Sequence, residues 1–388
     1  MYHTTVCVLC KGNFFLINLK CKQEERKMKT NRIRVGFIGL NPDSHWASKS
    51  HIPALKFLSD DFEIVGVANT TYESAKRSSE AFQIPYAFLN TEALINSPEI
   101  DLVIVTVKVP HHFELVKNAL ESGKHVYCEH PLGNGLEETR LLAEMAAKKN
   151  VVAVVGTQMV VAPEILYLQQ LIKEDYIGKV LSTTLIGSGG SWRNETVEDL
   201  YYLYDKANGA TMLTIPLAHT LAGVTSVLGS FSELSSKMIN NFTMVKMLET
   251  GEVKSKTAED QIMVIGTLTN GIAISVHYRG GISRGTNLLW EINGTEGDIQ
   301  IRGGLGHGQL VSLSIFGARG IEKELQLLKV PVEIMNNFPE NPVEGNVARI
   351  YKLLAEDIRN NTRNAPSFKD AVKLYELLNN IELSAKNE

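Results

Sequence analysis

Between Arg32 and Gly156, short apolar runs alternate with helical stretches, and this alternation constrains the fold more than any other feature. Ile33–Ile38, Phe62–Ala68, Asp101–Val107, His125–Glu129 and Val151–Gly156 read as strands. His51–Leu58, Tyr72–Phe82, Phe113–Ser122 and Leu136–Asn150 read as the helices between them. Leu102–Val107 is apolar at nearly every position, as a strand covered on both faces requires. Strands alternating with helices of this length predict a doubly wound parallel sheet of the α/β class, a Rossmann arrangement.

The first strand runs into Gly39-Leu40-Asn41. A dinucleotide turn needs glycine where the chain bends and where backbone approaches the pyrophosphate, with a helix N-terminus facing the anion. Gly39 supplies the bend, and Asn41 stands where the second glycine is expected; asparagine tolerates a left-handed backbone better than most residues. The second strand ends in Asn69-Thr70-Thr71, with no acid to hold an adenosine ribose and repel a 2′-phosphate. Lys76 and Arg77 follow within the next helix. The expected cofactor is NADP or NAD, with NADP favoured.

From about Lys179 the pattern changes to spaced β segments: Val180–Gly187, Ser232–Asn240, Gln261–Thr269, Gly271–Arg279, Asn287–Gly294 and Gly297–Arg302. Asn270-Gly271 between two of them is a strong hairpin signal. An open, mostly antiparallel sheet is expected, with helices at Ala210–Leu228 and Val343–Asn361 packed on it. A closing helix at Asp370–Leu383 would return to the first domain.

A length of 388 residues exceeds one ordinary core. The division expected is a leader at 1–31, a dinucleotide-binding domain at 32–156, and an α+β substrate and oligomerisation domain at 157–388. Hydrophobic residues at 44% and charged residues at 21% suit a folded globular chain. With 39 Lys and Arg against 43 Asp and Glu there is no global charge drawing the chain to nucleic acid or an anionic membrane. No uninterrupted apolar run approaches the roughly 20 residues of a membrane span. A cytoplasmic protein is expected. Cys7, Cys10 and Cys21 lie in the leader and leave only Cys128 in the body, which excludes a disulfide framework there. Gln23–Lys27 reads like a translated ribosome-binding stretch before Met28, so the leader is either an extension of the true start or a disordered tail.

Several segments resemble, in order, the glucose–fructose oxidoreductase/inositol dehydrogenase/MocA family. They are Val35–Leu40, His51-Ile52-Pro53-Ala54-Leu55, Thr106, His112-x-Glu114, Gly123–Leu132 and His219. The resemblance implies cofactor contacts from Gly36, Gly39, Leu40, Asn41, Trp46, Asn69, Thr70, Thr106, His112 and Glu129. Where that family carries a catalytic lysine, this chain has His130; where it places acids around the second histidine, this chain has Ile215 and Ala222. The Thr214-Ile215-Pro216-x-x-His219 segment, the Gly39–Asn41 turn and Trp46 resemble a subgroup that includes the fungal galactose-regulon repressor. That repressor binds NADP without being a competent dehydrogenase.

Hydride transfer needs a group to exchange the hydroxyl proton, and imidazole suits that role. His219 is the first candidate acid or base, and His130 the replacement for the missing lysine. Trp192, Arg193 and Tyr204 form a candidate sugar platform. No metal site, P-loop or Gly-x-Ser-x-Gly is present. The expected function is an NAD(P)-dependent oxidoreductase acting on a sugar or polyol-like alcohol, as a homodimer or larger homo-oligomer. The alternative is an inactive NADP-sensing co-regulator that binds a protein partner.

Overall fold

The structure, a computed structural model, describes residues 32–43 and 46–386. The readings of the leader lie outside the described residues.

Six parallel strands form the first sheet: β1 (Ile33–Ile38), β2 (Phe62–Ala68), β3 (Tyr86–Ala87), β4 (Leu102–Val105), β5 (His125–Glu129) and β6 (Ala153–Gly156). Their order is β3-β2-β1-β4-β5-β6, so the order reverses between β1 and β4, where dinucleotide sheets open their ligand crevice. The sequence pattern misses β3, which has two residues and too few side chains to show a period.

Beyond β6 the strands are β7 (Val180–Ser188), β8 (Glu195–Thr196), β9 (Phe231–Ile239), β10 (Met244–Met247), β11 (Val253–Ser255), β12 (Gln261–Leu268), β13 (Ala273–Arg279), β14 (Leu288–Gly294), β15 (Gly297–Gly303), β16 (Leu313–Arg319) and β17 (Gln326–Leu328). Eight of them build an open sheet in the order β17-β16-β15-β14-β7-β13-β12-β9, while β8, β10 and β11 form a small separate one. Only β7 and β13 run parallel within the large sheet. Gly271, at φ +80°, turns the β12–β13 hairpin. Alternate residues such as Ile262, Val264, Val276, Tyr278, Trp290 and Ile301 face a common core with the Ala218–Leu228 helix.

The segment Lys206–Leu228 is by length and composition apolar enough to cross a membrane, although it is not an uninterrupted apolar run. Its apolarity has another cause: Leu213, Leu217, Leu221 and Val224 fill the middle of this core.

Of the two last helices, the first departs from expectation and the second returns to the first half while also covering the second. Pro342–Asn360 does not cover the antiparallel sheet. Val347, Tyr351 and Leu354 instead join Val35, Phe37 and Ile104 in the first core, against the His51–Phe57 helix. The Phe368–Lys386 helix packs on both the Leu136–Lys149 helix and β9. Phe368 and Ala371 enter the core of the first sheet, while Leu374, Leu378 and Ile381 enter that of the second. Its helical stride thus ties both halves together.

Candidate functional site

Gly39 bends the chain at φ +97°, and a Cβ there would lie 2.5 Å from Val107 Cγ1 and 3.1 Å from Val107 N. Only glycine lets β1 leave its strand so close to the turn after β4. Asn69 holds this turn. Its Nδ2 donates to Leu40 O at 2.7 Å and toward Ser74 Oγ and Ser78 Oγ at 3.1 Å each. Asn41 does not adopt the left-handed backbone that its type tolerates; its Oδ1 accepts from Asp43 N at 3.0 Å and Arg77 Nη2 at 2.9 Å. Arg77 also pairs with Asp43 at 2.9 Å, at the rim of the turn.

Two buried polar atoms near the turn have no partner: Asn69 Oδ1, an acceptor, and Trp46 Nε1, a donor. Buried polar groups are normally satisfied, so such orphans mark where a polar ligand completes the structure. Together with the Gly39 cradle they fit a dinucleotide.

Other residues of the expected set have different work. Gly36 lies in mid-strand, where a Cβ would come within 2.8 Å of Leu94, so it is a packing glycine. Thr70 is exposed, and Thr71 caps the next helix by accepting from Ser74 N. Thr106 Oγ1 reaches toward Gly39 O at 3.3 Å and so ties the two turns. His112 is buried with Nδ1 2.7 Å from Pro131 O and Nε2 2.9 Å from Val107 O. Its ring nitrogens face backbone carbonyls and leave none for a cofactor.

Glu129 ends β5 with its carboxylate gripped from two sides. His51 Nε2 lies 2.9 Å from Oε1, and Gln158 Nε2 donates to both oxygens at 3.1 and 3.0 Å. With the carboxylate as acceptor, His51 carries its proton on Nε2, and Nδ1 accepts from Tyr351 Oη. Gly156 permits the packing, since a Cβ there would meet Glu129 Oε1 at 2.6 Å.

The two candidate histidines meet. His130 and His219 stand edge to face, ring centroids 5.1 Å apart and planes at 80°. A π-helical turn at Leu213–Leu217, with Pro216 inside it, precedes the helix that carries His219. Pro216 has no N–H for the helical ladder, and such turns often sit at functional sites. The same turn presents Thr214 O, which accepts from His130 Nε2 at 2.9 Å. That bond fixes the tautomer and leaves His130 Nδ1 as a lone-pair acceptor, buried and unpartnered; His219 Nδ1 is likewise unpartnered. Burial holds His130 down to about 4. Burial, then the neighbouring His130 and His307, push His219 well below its ordinary range. Both rings are neutral at pH 7.

Trp192 and Tyr204 are brought together, though not as an open platform. Both are buried in the second core, with Tyr204 Oη accepting from Trp192 N at 3.0 Å and donating to Glu195 O at 3.1 Å. Arg193 is exposed beside Gly281. What sequence reasoning missed is His307, whose only signal is its setting in the glycine-rich run Gly303-Gly304-Leu305-Gly306-His307-Gly308. Among the described residues, no three His, Cys, Asp or Glu side chains are arranged to hold a metal ion. A groove of about 890 Å³ runs elsewhere, between the Phe368–Lys386 helix and β9, and no candidate residue lines it.

Residues 33–157 match the oxidoreductase family with an NAD-binding Rossmann fold, and residues 163–303 match the Gal80p C-terminal domain. The galactose/lactose metabolism regulatory protein GAL80 of Kluyveromyces lactis is 28% identical, over 92% of this chain and 94% of that protein. Dehydrogenase aclE of Aspergillus oryzae is 30% identical, over 71% of this chain and 78% of its own length. Among solved structures, a super-repressor mutant of Gal80p from Saccharomyces cerevisiae superposes with a TM-score of 0.84 at 27% identity, covering 92% of this chain and 96% of that one. The chain therefore belongs to the GFO/IDH/MocA oxidoreductase family, in the branch whose C-terminal domain is like that of Gal80p.

Proposed function

We propose that this chain is an NAD(P)-dependent oxidoreductase that moves a hydride between nicotinamide and the CH–OH or C=O carbon of a sugar or polyol, with NADP preferred. The observation that carries the reading is the His130–His219 pair at the C-terminal edge of the first sheet, two neutral imidazoles each with an unpartnered buried Nδ1. When bound, nicotinamide supplies the hydride acceptor for alcohol oxidation. His130 Nδ1 takes the hydroxyl proton as the C–O bond becomes a carbonyl, while its Nε2–H stays anchored on Thr214 O. His219 borders the same hydroxyl and fixes its direction. Asn69 Oδ1 would accept from a ribose hydroxyl, Trp46 Nε1 would donate to a cofactor oxygen, and Arg77 would pair with a 2′-phosphate. Glu129, held rigid by His51 and Gln158, would hold the nicotinamide ribose. Residues 32–156 serve the cofactor and 157–388 the substrate, and the working form is a homo-oligomer.

The test is NADPH and NADH binding by fluorescence, followed by turnover against a panel of sugars and polyols. Turnover of a neutral sugar or polyol that depends on His130 supports the reading. Tight cofactor binding without turnover on any substrate favours a second one, a nucleotide-sensing regulator that binds a protein partner. Two observations support that alternative: His130 replaces the family's lysine, and a relative over most of the chain is named as a regulatory protein.

A further inference from the structure

His307 lies on the loop between β15 and β16, and that loop is laid tightly on the end of β7. Gly306 N donates to Ser188 O at 2.9 Å, Gly306 O accepts from Tyr278 Oη at 2.9 Å, and a Cβ on Gly306 would sit 2.4 Å from Ser188 O. His307 Nε2 lies 2.6 Å from Gly189 O. A carbonyl can only accept, so the proton is on Nε2 and Nδ1 carries a lone pair. Nδ1 is buried without a partner, as in His130 and His219. Two links join this loop to the helix of His219: Tyr278 Oη, which donates to Gly306 O, also lies 2.6 Å from Thr220 Oγ1, and Met159 packs against both Gly308 and Gly223.

Its ring is set by an unusual neighbour. Trp192 stacks on His307 with planes 13° apart and centroids at 6.2 Å. Trp192 holds φ at +67°, a region that bulky residues rarely enter. The strain persists because Trp192 is tied twice, through N–H to Tyr204 Oη and through Nε1–H to Leu203 O at 2.9 Å. Strain maintained in this way next to a candidate site is commonly part of its function.

We propose that His307 is a specificity-determining residue whose Nδ1 accepts a hydrogen bond from a substrate hydroxyl other than the one oxidised, and that Trp192 is its positioning residue. The inference rests on the reading of His130 and His219 as the reacting pair. Burial keeps His307 down to about 4, so the ring stays a neutral acceptor at pH 7. Such a group recognises a hydroxyl donor and gives nothing to a carboxylate or phosphate. The site therefore takes a neutral polyhydroxy compound and discriminates by the presence of one hydroxyl.

The experiment uses the full chain loaded with NADPH and measures calorimetric binding of D-glucose, D-galactose and myo-inositol beside their monodeoxy analogues. In the wild-type protein, one deoxy position should bind about tenfold more weakly than its parent. His307→Ala should weaken the parent about tenfold and abolish the difference between parent and deoxy analogue. His307→Asn, which returns an amide oxygen near the Nδ1 position, should recover much of that difference. Trp192→Phe should reduce it while the cofactor affinity stays unchanged. If His307→Ala does not fold, ring-¹⁵N-histidine spectra of the wild-type protein decide: the Nδ1 resonance of His307 should move with the parent and not with the critical deoxy analogue. Binding and discrimination without turnover keep His307 as the hydroxyl-recognising residue and remove the oxidoreductase reading. Turnover with unaltered KM and unaltered deoxy discrimination in His307→Ala does the reverse. Binding of none of the probes overturns the inference.

Discussion

The hydroxyl of Tyr351 lies 2.6 Å from Nδ1 of His51, so a helix near the C-terminus fixes a ring that begins the first long helix after the nucleotide turn. Tyr351→Phe removes the donor and leaves a buried imidazole nitrogen unsatisfied, at a cost of about 1–3 kcal/mol. Urea unfolding should show this loss with little change in slope. A variant as stable as the wild type would mean that the bond contributes nothing net.

His130→Ala removes the proposed proton acceptor. Turnover should fall about 10²–10⁴-fold, as for loss of a general base, while NADPH affinity stays within about threefold. His130→Lys returns the residue of the wider family, and should restore part of the rate with a new dependence on pH. Stopped-flow hydride transfer with the best substrate of the panel measures both.

The histidines also make a pH prediction with a definite sign. His130 and His307 are both lowered to about 4, and His219 is lowered well below its ordinary range, chiefly by burial. In the unfolded chain each titrates near its ordinary value of about 6.5. Between those values the unfolded chain binds more protons, so the contribution is complete above the unfolded value and is lost as pH falls toward 4. For His130 alone this is of order a few kcal/mol. Urea midpoints at about pH 7.5 and about pH 5 should therefore differ, with the lower pH less stable.

At the rim of the Gly39 turn, Arg77 is shared between Asn41 and Asp43. Arg77→Ala should weaken NADPH about tenfold and leave NADH nearly unaffected. Asp43→Asn, which frees the guanidinium, should tighten NADPH. Equal effects on both cofactors would remove Arg77 from 2′-phosphate recognition.

Gly39→Ala should be severe, because it combines a positive φ with a Cβ 2.5 Å from Val107. A stability loss of about 1–3 kcal/mol is expected from backbone strain alone. Loss of NADPH binding should accompany it in fluorescence titration.

The strand–helix alternation made the first sheet legible, because both-face burial writes continuous apolar runs into Leu102–Val105 and its neighbours. The hairpin at Gly271 was equally plain. Contacts far apart in sequence were less legible. Nothing local in Tyr351 announces His51, and the stripe on Pro342–Asn360 shows only that the helix is buried, not against which sheet. His130 and His219 were both readable as candidates, whereas their meeting depends on the π-helical turn at Pro216. Trp192 was found for its aromatic ring and not for its backbone, which no periodicity encodes. Asn69 reads from the sequence only as a cofactor contact, yet its amide nitrogen is spent on Leu40 O and Oδ1 alone remains for a ligand.

The Phe368–Lys386 helix has a consequence for the order in which this protein matures during synthesis. Tyr375 Oη donates to Gly133 O at 2.8 Å, beside the strand that delivers His130, and Val155 N at the far edge of the first sheet donates to Pro366 O at 2.8 Å. The nucleotide-binding sheet is made early by the ribosome, but the cover of its β6 edge and part of its core arrive only with residues beyond 365. A nascent chain stalled before Ser367 would carry every candidate catalytic histidine and still lack the clamp that ties the two sheets together.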